Sequence, residues 1–132
     1  MISDATRAKY DRLVARCHKA GIAAAKKKAA EIKRRKDPAI VVCWRTKKQF
    51  KVWGYPYGFV NLHVENGRSG FVQYLKEKDA LGWQNSIYTF RWGSIPTECF
   101  SQSMEVQEAE AKAWQEILDK RGINTRISSR ID

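Results

Sequence analysis

Apolar residues near the start of the chain fall on one helical stripe. Tyr10, Leu13, Val14, Cys17, Gly21 and Ala24 recur at spacings of three and four, with charged residues between them. Residues 4–36 contain no Pro and only Gly21, and they are rich in Ala, Lys and Arg, which favour helix. Ser3 or Asp4 can cap the start, and Pro38 stops the helix near Lys36. Gly21 leaves open whether this is one helix or two. From Lys26 to Lys36 seven basic residues surround the helix, interrupted by Ala29, Ala30, Ile32 and one acid, Glu31. This half is expected to project, or to lie over something anionic, rather than pack on the core.

The pattern then changes to the two-residue period of strands. Residues 39–45 form a strand, and residues 50–53 form its partner across the Thr46–Gln49 turn. Residues 54–58 (GYPYG) break the sheet. Residues 59–65 are a strand, Asn66-Gly67 is a strong hairpin signal, and residues 69–76 are expected to return. In that hairpin Glu65 faces Arg68, Leu62 faces Phe71, Val60 faces Gln73 and Phe59 faces Tyr74. Val60, Leu62, Val64 and Phe71 then line the core, while Phe59, Asn61, His63, Val72 and Tyr74 make a mixed face. A polar loop at 77–82 leads to a last strand over residues 84–92.

A final helix is expected over residues 103–121, with Gly122 as its cap. Its apolar face is Val106, Ala109, Ala113, Trp114, Ile117 and Leu118. The tail 124–132 is either frayed or an edge strand. The expected fold is therefore α+β: a long N-terminal helix, an antiparallel sheet of four or five strands, and a C-terminal helix packed on one sheet face. Residues 1–37 form the helix with the basic second half. Residues 38–132 form an α+β body, packed with helix 4–25 as a single domain.

Composition supports a folded chain. Its 132 residues are 43% hydrophobic and include five each of Trp, Tyr and Phe, enough for a core without disulfides or metal. Cys17, Cys43 and Cys99 form no CxxC pair, which removes zinc-ribbon and thioredoxin readings and fits free thiols in a reducing compartment. No apolar run approaches the roughly 20 residues of a membrane span. Residues 1–4 begin no signal-peptide apolar region. A cytoplasmic protein without membrane contact is expected.

Charge changes the picture most. Of the formal +11, residues 1–36 hold twelve Lys and Arg against three acids, a net +9. The rest holds thirteen against eleven, a net +2. Such asymmetry points to a polyanion. A row of cations neutralises several phosphates at once and releases their counterions. The candidate contacts are Lys26, Lys27, Lys28, Lys33, Arg34, Arg35 and Lys36. The Lys47, Lys48 and Lys51 turn joins them, with Tyr55 and Tyr57 as exposable aromatics and Arg68 at the hairpin end.

Catalytic signals are sparse. No Walker, GxGxxG, HExxH, HNH or GxSxG pattern occurs. Cys17 and His18 are consecutive and diverge on a helix. His63 near Glu65 and Arg68 is the one grouping with acid–base or phosphodiester potential, and Glu65 with Arg68 is equally a cross-strand pair. The reading is a non-catalytic RNA- or DNA-binding protein with no cofactor and no metal. The alternative is a small phage or mobile-element adaptor or inhibitor that docks on a host protein or ribonucleoprotein complex.

Overall fold

The computed structural model describes residues 2–34, 39–52, 58–67, 69–87 and 103–131. Helix α1 spans Asp4–Arg34 and runs unbroken through Gly21. Its start is capped as expected, the Ser3 hydroxyl accepting the Thr6 N–H at 3.2 Å.

Strand β1 (Ala39–Val42) pairs antiparallel with β2 (Gln49–Val52). Strand β3 (Gly58–Val64) pairs antiparallel with β4 (Thr125–Ile131), in a register that sets Leu62 opposite Ile127. Helix α2 (Gly70–Glu77) follows β3, and helix α3 (Met104–Lys120) precedes β4. Gly122 follows α3 at φ +73°, the left-handed turn that glycine favours.

The expected sheet of four or five strands is overturned. Among the described residues there are two separate two-stranded sheets, and the α+β class holds only in that looser sense. The Asn66-Gly67 hairpin does not form, because residues 70–77 are helix. The Ser69 hydroxyl caps that helix by accepting the Val72 N–H at 3.2 Å. The apolar residues Phe71, Val72, Tyr74 and Leu75 are spaced for a helix face, not for alternation, and all four are buried. The expected Glu65–Arg68, Leu62–Phe71, Val60–Gln73 and Phe59–Tyr74 pairs are lost with the hairpin. The place beside β3 is taken instead by β4, the edge-strand option for the tail.

The expected strand over 84–92 begins instead with a 3₁₀ turn at Trp83–Asn85. Beyond it, Ser86 bridges to His63 and the Ile87 N–H donates to the Leu62 carbonyl at 2.9 Å. Residues 88–92 lie outside the described residues. The remaining edge of β3 is satisfied by one side chain. Gln107 accepts the Val60 N–H at 3.0 Å and donates to the Gly58 carbonyl at 2.8 Å.

Helix α3 is the central element, touching α1 on one side and both β3 and β4 on another. Two-sided packing explains why Gln107 and Glu110 are buried beside Val106, Ala111, Trp114 and Leu118. The main core joins Leu13 and Cys17 of α1 to Val60, Leu62 and Val64 of β3, with α2 and α3 closing it. A second cluster joins Ala25, Ala29 and Ile32 of α1 to Val106 of α3. Here the projecting arm is corrected: α1 packs on α3 as far as Ile32. The stripe Gly21, Ala25, Ala29 is small enough to let the two backbones approach.

Candidate nucleic-acid interface

The packed stripe defines what α1 leaves free. At about 100° per residue, the buried residues Gly21, Ala25, Ala29 and Ile32 lie between about 0° and 80°, measured from Gly21. The opposite arc, from about 120° to 240°, holds Lys9, Arg12, Arg16, Lys19, Lys26, Lys27, Lys33 and Arg34. Its other members are Ala5, Ala8, Ala15, Ala23 and Ala30, and every residue of the arc is exposed. Asp4, Asp11 and Glu31 all fall outside it. None of the eight cations forms an ion pair with another described residue. The result is an acid-free rail running about 38 Å from Lys9 to Arg34, at 1.5 Å of rise per residue.

The other bases of α1 are engaged. Arg7 bonds Asp4 at 2.7 Å and Glu77 at 3.1 Å, tying α1 to α2, and the Glu77 bond leads in raising its pKa. Lys28 lies 3.0 Å from Glu31, and its hydrogen bond holds that carboxyl below its ordinary range. Asp11 accepts from the Tyr74 hydroxyl at 2.5 Å.

Of the residues expected from sequence, Lys26, Lys27, Lys33 and Arg34 lie on the rail, and Lys28 lies off it, half-buried at the edge of the packed stripe in its ion pair. Lys47 and Lys48 are exposed at the far end of β1–β2. The backbone of Lys51 sits in β2 opposite Ile40. Arg35, Lys36, Tyr55, Tyr57 and Arg68 lie outside the described residues. Sequence reasoning missed Lys9, Arg12, Arg16 and Lys19. It treated the first half of the helix as packing surface only, and a helical projection over the whole of α1 brings them into line with the later lysines.

The loop of the first hairpin is Trp44–Lys47, earlier than the expected Thr46–Gln49 turn. It is closed by Cys43 N–H to Lys48 C=O at 2.9 Å and Lys47 N–H to Cys43 C=O at 2.7 Å. Lys47 takes φ +60°. Donors from Thr46, its side chain foremost, and the Arg45 N–H hold the Cys43 thiol below its ordinary range. Burial pushes the Cys17 thiol the other way, to about 11.

His63 is only 2% exposed. Its Nδ1 donates to the Gln84 carbonyl at 3.1 Å, since a carbonyl can only accept, and its Nε2 shares a hydrogen with the Ser128 hydroxyl at 2.7 Å. Both ring nitrogens are thus committed to the fold. Glu65 is exposed beyond β3 and lines a cleft of about 340 Å³ with Gln115, Glu116, Asp119, Asn124 and Thr125, apart from His63. Among the described residues no three His, Cys, Asp or Glu side chains are grouped to hold a metal ion. Among the same residues no helix is long and apolar enough to cross a membrane. No protein-family model, curated protein or solved structure matches the chain.

Proposed function

We propose that this protein binds RNA or DNA without catalysis, using the exposed face of α1 against the phosphate backbone. The observation that carries the reading is the rail itself. All thirteen positions of one helical face hold only Lys, Arg and Ala, and all are exposed. A merely solvated helix mixes signs, because opposite charges at spacings of three and four support it. Apart from Glu31, which attracts Lys27 and Arg34 from beside the row, the row forgoes that support, and an anionic partner supplies the missing charge. The alanines keep the row low, so a backbone can lie along it. Its span of about 38 Å matches about eleven steps of duplex at 3.4 Å per step.

Phosphate contacts position a nucleic acid without reading its sequence. Binding is therefore expected to be strongly salt-dependent and weakly sequence-dependent. Each neutralised phosphate contributes about 0.7 to 0.9 to the slope of log affinity against log salt. Four to eight contacts would give a slope of about −3 to −7. The test is fluorescence anisotropy with a labelled oligonucleotide over a salt series. Replacing Lys26, Lys27, Lys33 and Arg34 with Gln should flatten the slope by about 3 to 4. The same treatment of Lys9, Arg12, Arg16 and Lys19 should flatten it comparably if the whole rail is used. A slope near zero in the unmodified protein would sink the proposal.

A further inference from the structure

The β1–β2 hairpin carries a second charged feature with a different chemistry. Trp44 at its tip is 77% exposed, and Ile40 and Val42, two residues apart on one strand, are 62% and 50% exposed. Exposing a Trp and two branched aliphatics to water is unfavourable, and an isolated two-stranded hairpin is marginal. The Arg45 guanidinium lies over the Trp44 ring, 5.7 Å from its centroid. Lys47 and Lys48 flank it. Residues 39–52 contain Arg45, Lys47, Lys48 and Lys51 and no acid. The tip is fixed by the two backbone hydrogen bonds between Cys43 and residues 47 and 48.

Chain length bounds the distance from the tip to the rail. Trp44 follows Arg34 by ten residues, so the tip lies within about 36 Å of the rail's last cation. One strand can reach both.

We propose that the hairpin tip is a base-stacking contact. Trp44 takes the face of an unpaired base, Arg45 backs the indole, and Lys47 and Lys48 hold neighbouring phosphates. The ligand is thus a single strand, or contains a single-stranded stretch. This rests on the nucleic-acid reading above. The argument for an unpaired base is steric. In a duplex both faces of each base are already stacked, so an indole gains a face only by opening a step. In a single strand one face is free, and any base serves, since every base has a π-face. Phosphate alone would need the lysines and not the tryptophan. A guanidinium on one side of the indole leaves the other side for the base.

The test compares the protein with Trp44→Ala and Trp44→Phe on four labelled probes at one salt concentration. The probes are thymidine and uridine single strands of about 15 nucleotides, an abasic strand with the same phosphates, and a duplex of the same length. Trp44→Ala should weaken both base-bearing strands by at least about fivefold, from the usual worth of one stacked base. Trp44→Phe should recover most of the loss, and binding of the abasic strand and the duplex should change by less than about twofold. An equal loss on abasic and base-bearing strands would overturn the stacking contact, as would no loss on any probe. Both results leave the rail reading intact if affinity still falls with salt. Failure of the unmodified protein to bind any probe would overturn both readings. Survival of a lysate protein on the hairpin after nuclease, lost in Trp44→Ala while oligonucleotide affinity is unchanged, would also reject stacking.

Discussion

Replacing Gly21 with Ala tests whether α1 and α3 are in close contact. Gly21 sits mid-helix, where glycine costs about 1 kcal/mol relative to alanine. On propensity alone Gly21→Ala should stabilise the protein by about that amount. Packing predicts the opposite. A Cβ at this position would stand 2.8 Å from Trp114 Nε1, 2.9 Å from Trp114 Cδ1 and 2.9 Å from Glu110 Cγ. Ordinary carbon contacts begin near about 3.5 Å. The indole is rigid and 1% exposed, so it has nowhere to swing. The helices must therefore separate by about half an ångström, loosening the Ala25, Ala29, Ile32 and Val106 cluster as well. Overpacking of this kind costs about 1–3 kcal/mol, rising toward the top of that range when rigid groups collide. Subtracting the propensity gain leaves a net loss of about 1–2 kcal/mol.

Ala23→Gly supplies the calibration. Ala23 is exposed on the same helix, so this change isolates propensity and should cost about 1 kcal/mol. Urea unfolding followed by circular dichroism at 222 nm reads both. With a slope of about 2 kcal/mol per molar, Gly21→Ala should lower the midpoint by about 0.5–1 M at unchanged slope. A midpoint raised by Gly21→Ala, with Ala23→Gly behaving as expected, would mean that α1 does not lie against Trp114 as described.

Gln107→Leu should cost about 2–4 kcal/mol, because it leaves the buried Val60 N–H and Gly58 carbonyl without their partner; native-state hydrogen exchange at the Val60 amide should quicken accordingly. Alkali should also unfold the protein. Burial raises the Cys17 thiol from 9.0 to about 11, and burial together with the bond to Asp11 raises the Tyr74 hydroxyl from 10.0 to about 12. Both protons are held more tightly folded than unfolded, so their contribution is complete below about pH 9 and is lost as pH rises through 9 to 12. A Cys17→Ala, Tyr74→Phe variant should show a flatter fall over that window in a pH series of urea midpoints, and an unchanged fall would reject this account.

The two long helices were legible in the sequence because their caps and periods agree: Ser3 at one start, Gly122 at the other end. Residues 69–76 misled because Asn66-Gly67 is a strong local turn signal and Phe71, Val72 and Tyr74 are good strand formers. The discriminating signal was Ser69 with apolar residues at 71, 72, 74 and 75, which fits a capped helix and breaks alternation. The pairing of β4 with β3 could not be read from TRISSRI alone, since it depends on α3 returning the chain to that edge. The rail was half legible. Lys26, Lys27, Lys33 and Arg34 stood out as a cluster, while the four earlier cations were diluted by the packing residues between them.

The alanines explain why that second half was misread and what the rail costs. Ala29 reads as a gap in the all-round basic surface of residues 26–36, yet Ala29 and the preceding Ala25 are core, clustered with Ile32 and with Val106 of α3. The helix is therefore held straight on one side while the other carries like-charge repulsion, relieved only where Glu31 attracts Lys27 and Arg34. Arg12 lies four residues from Arg16, and Lys9 and Lys19 lie three from Arg12 and Arg16. Each like-charge neighbour costs about 0.2–0.5 kcal/mol. Salt should thus act in opposite directions on one surface. Screening relieves the repulsion in the free protein, so its unfolding midpoint should rise between low and moderate salt. The same salt competes for the proposed phosphate contacts, so oligonucleotide affinity should fall over the same range. A rail supported by opposite charges would lose stability with salt instead, and that outcome would remove the unpaired face on which the binding proposal rests.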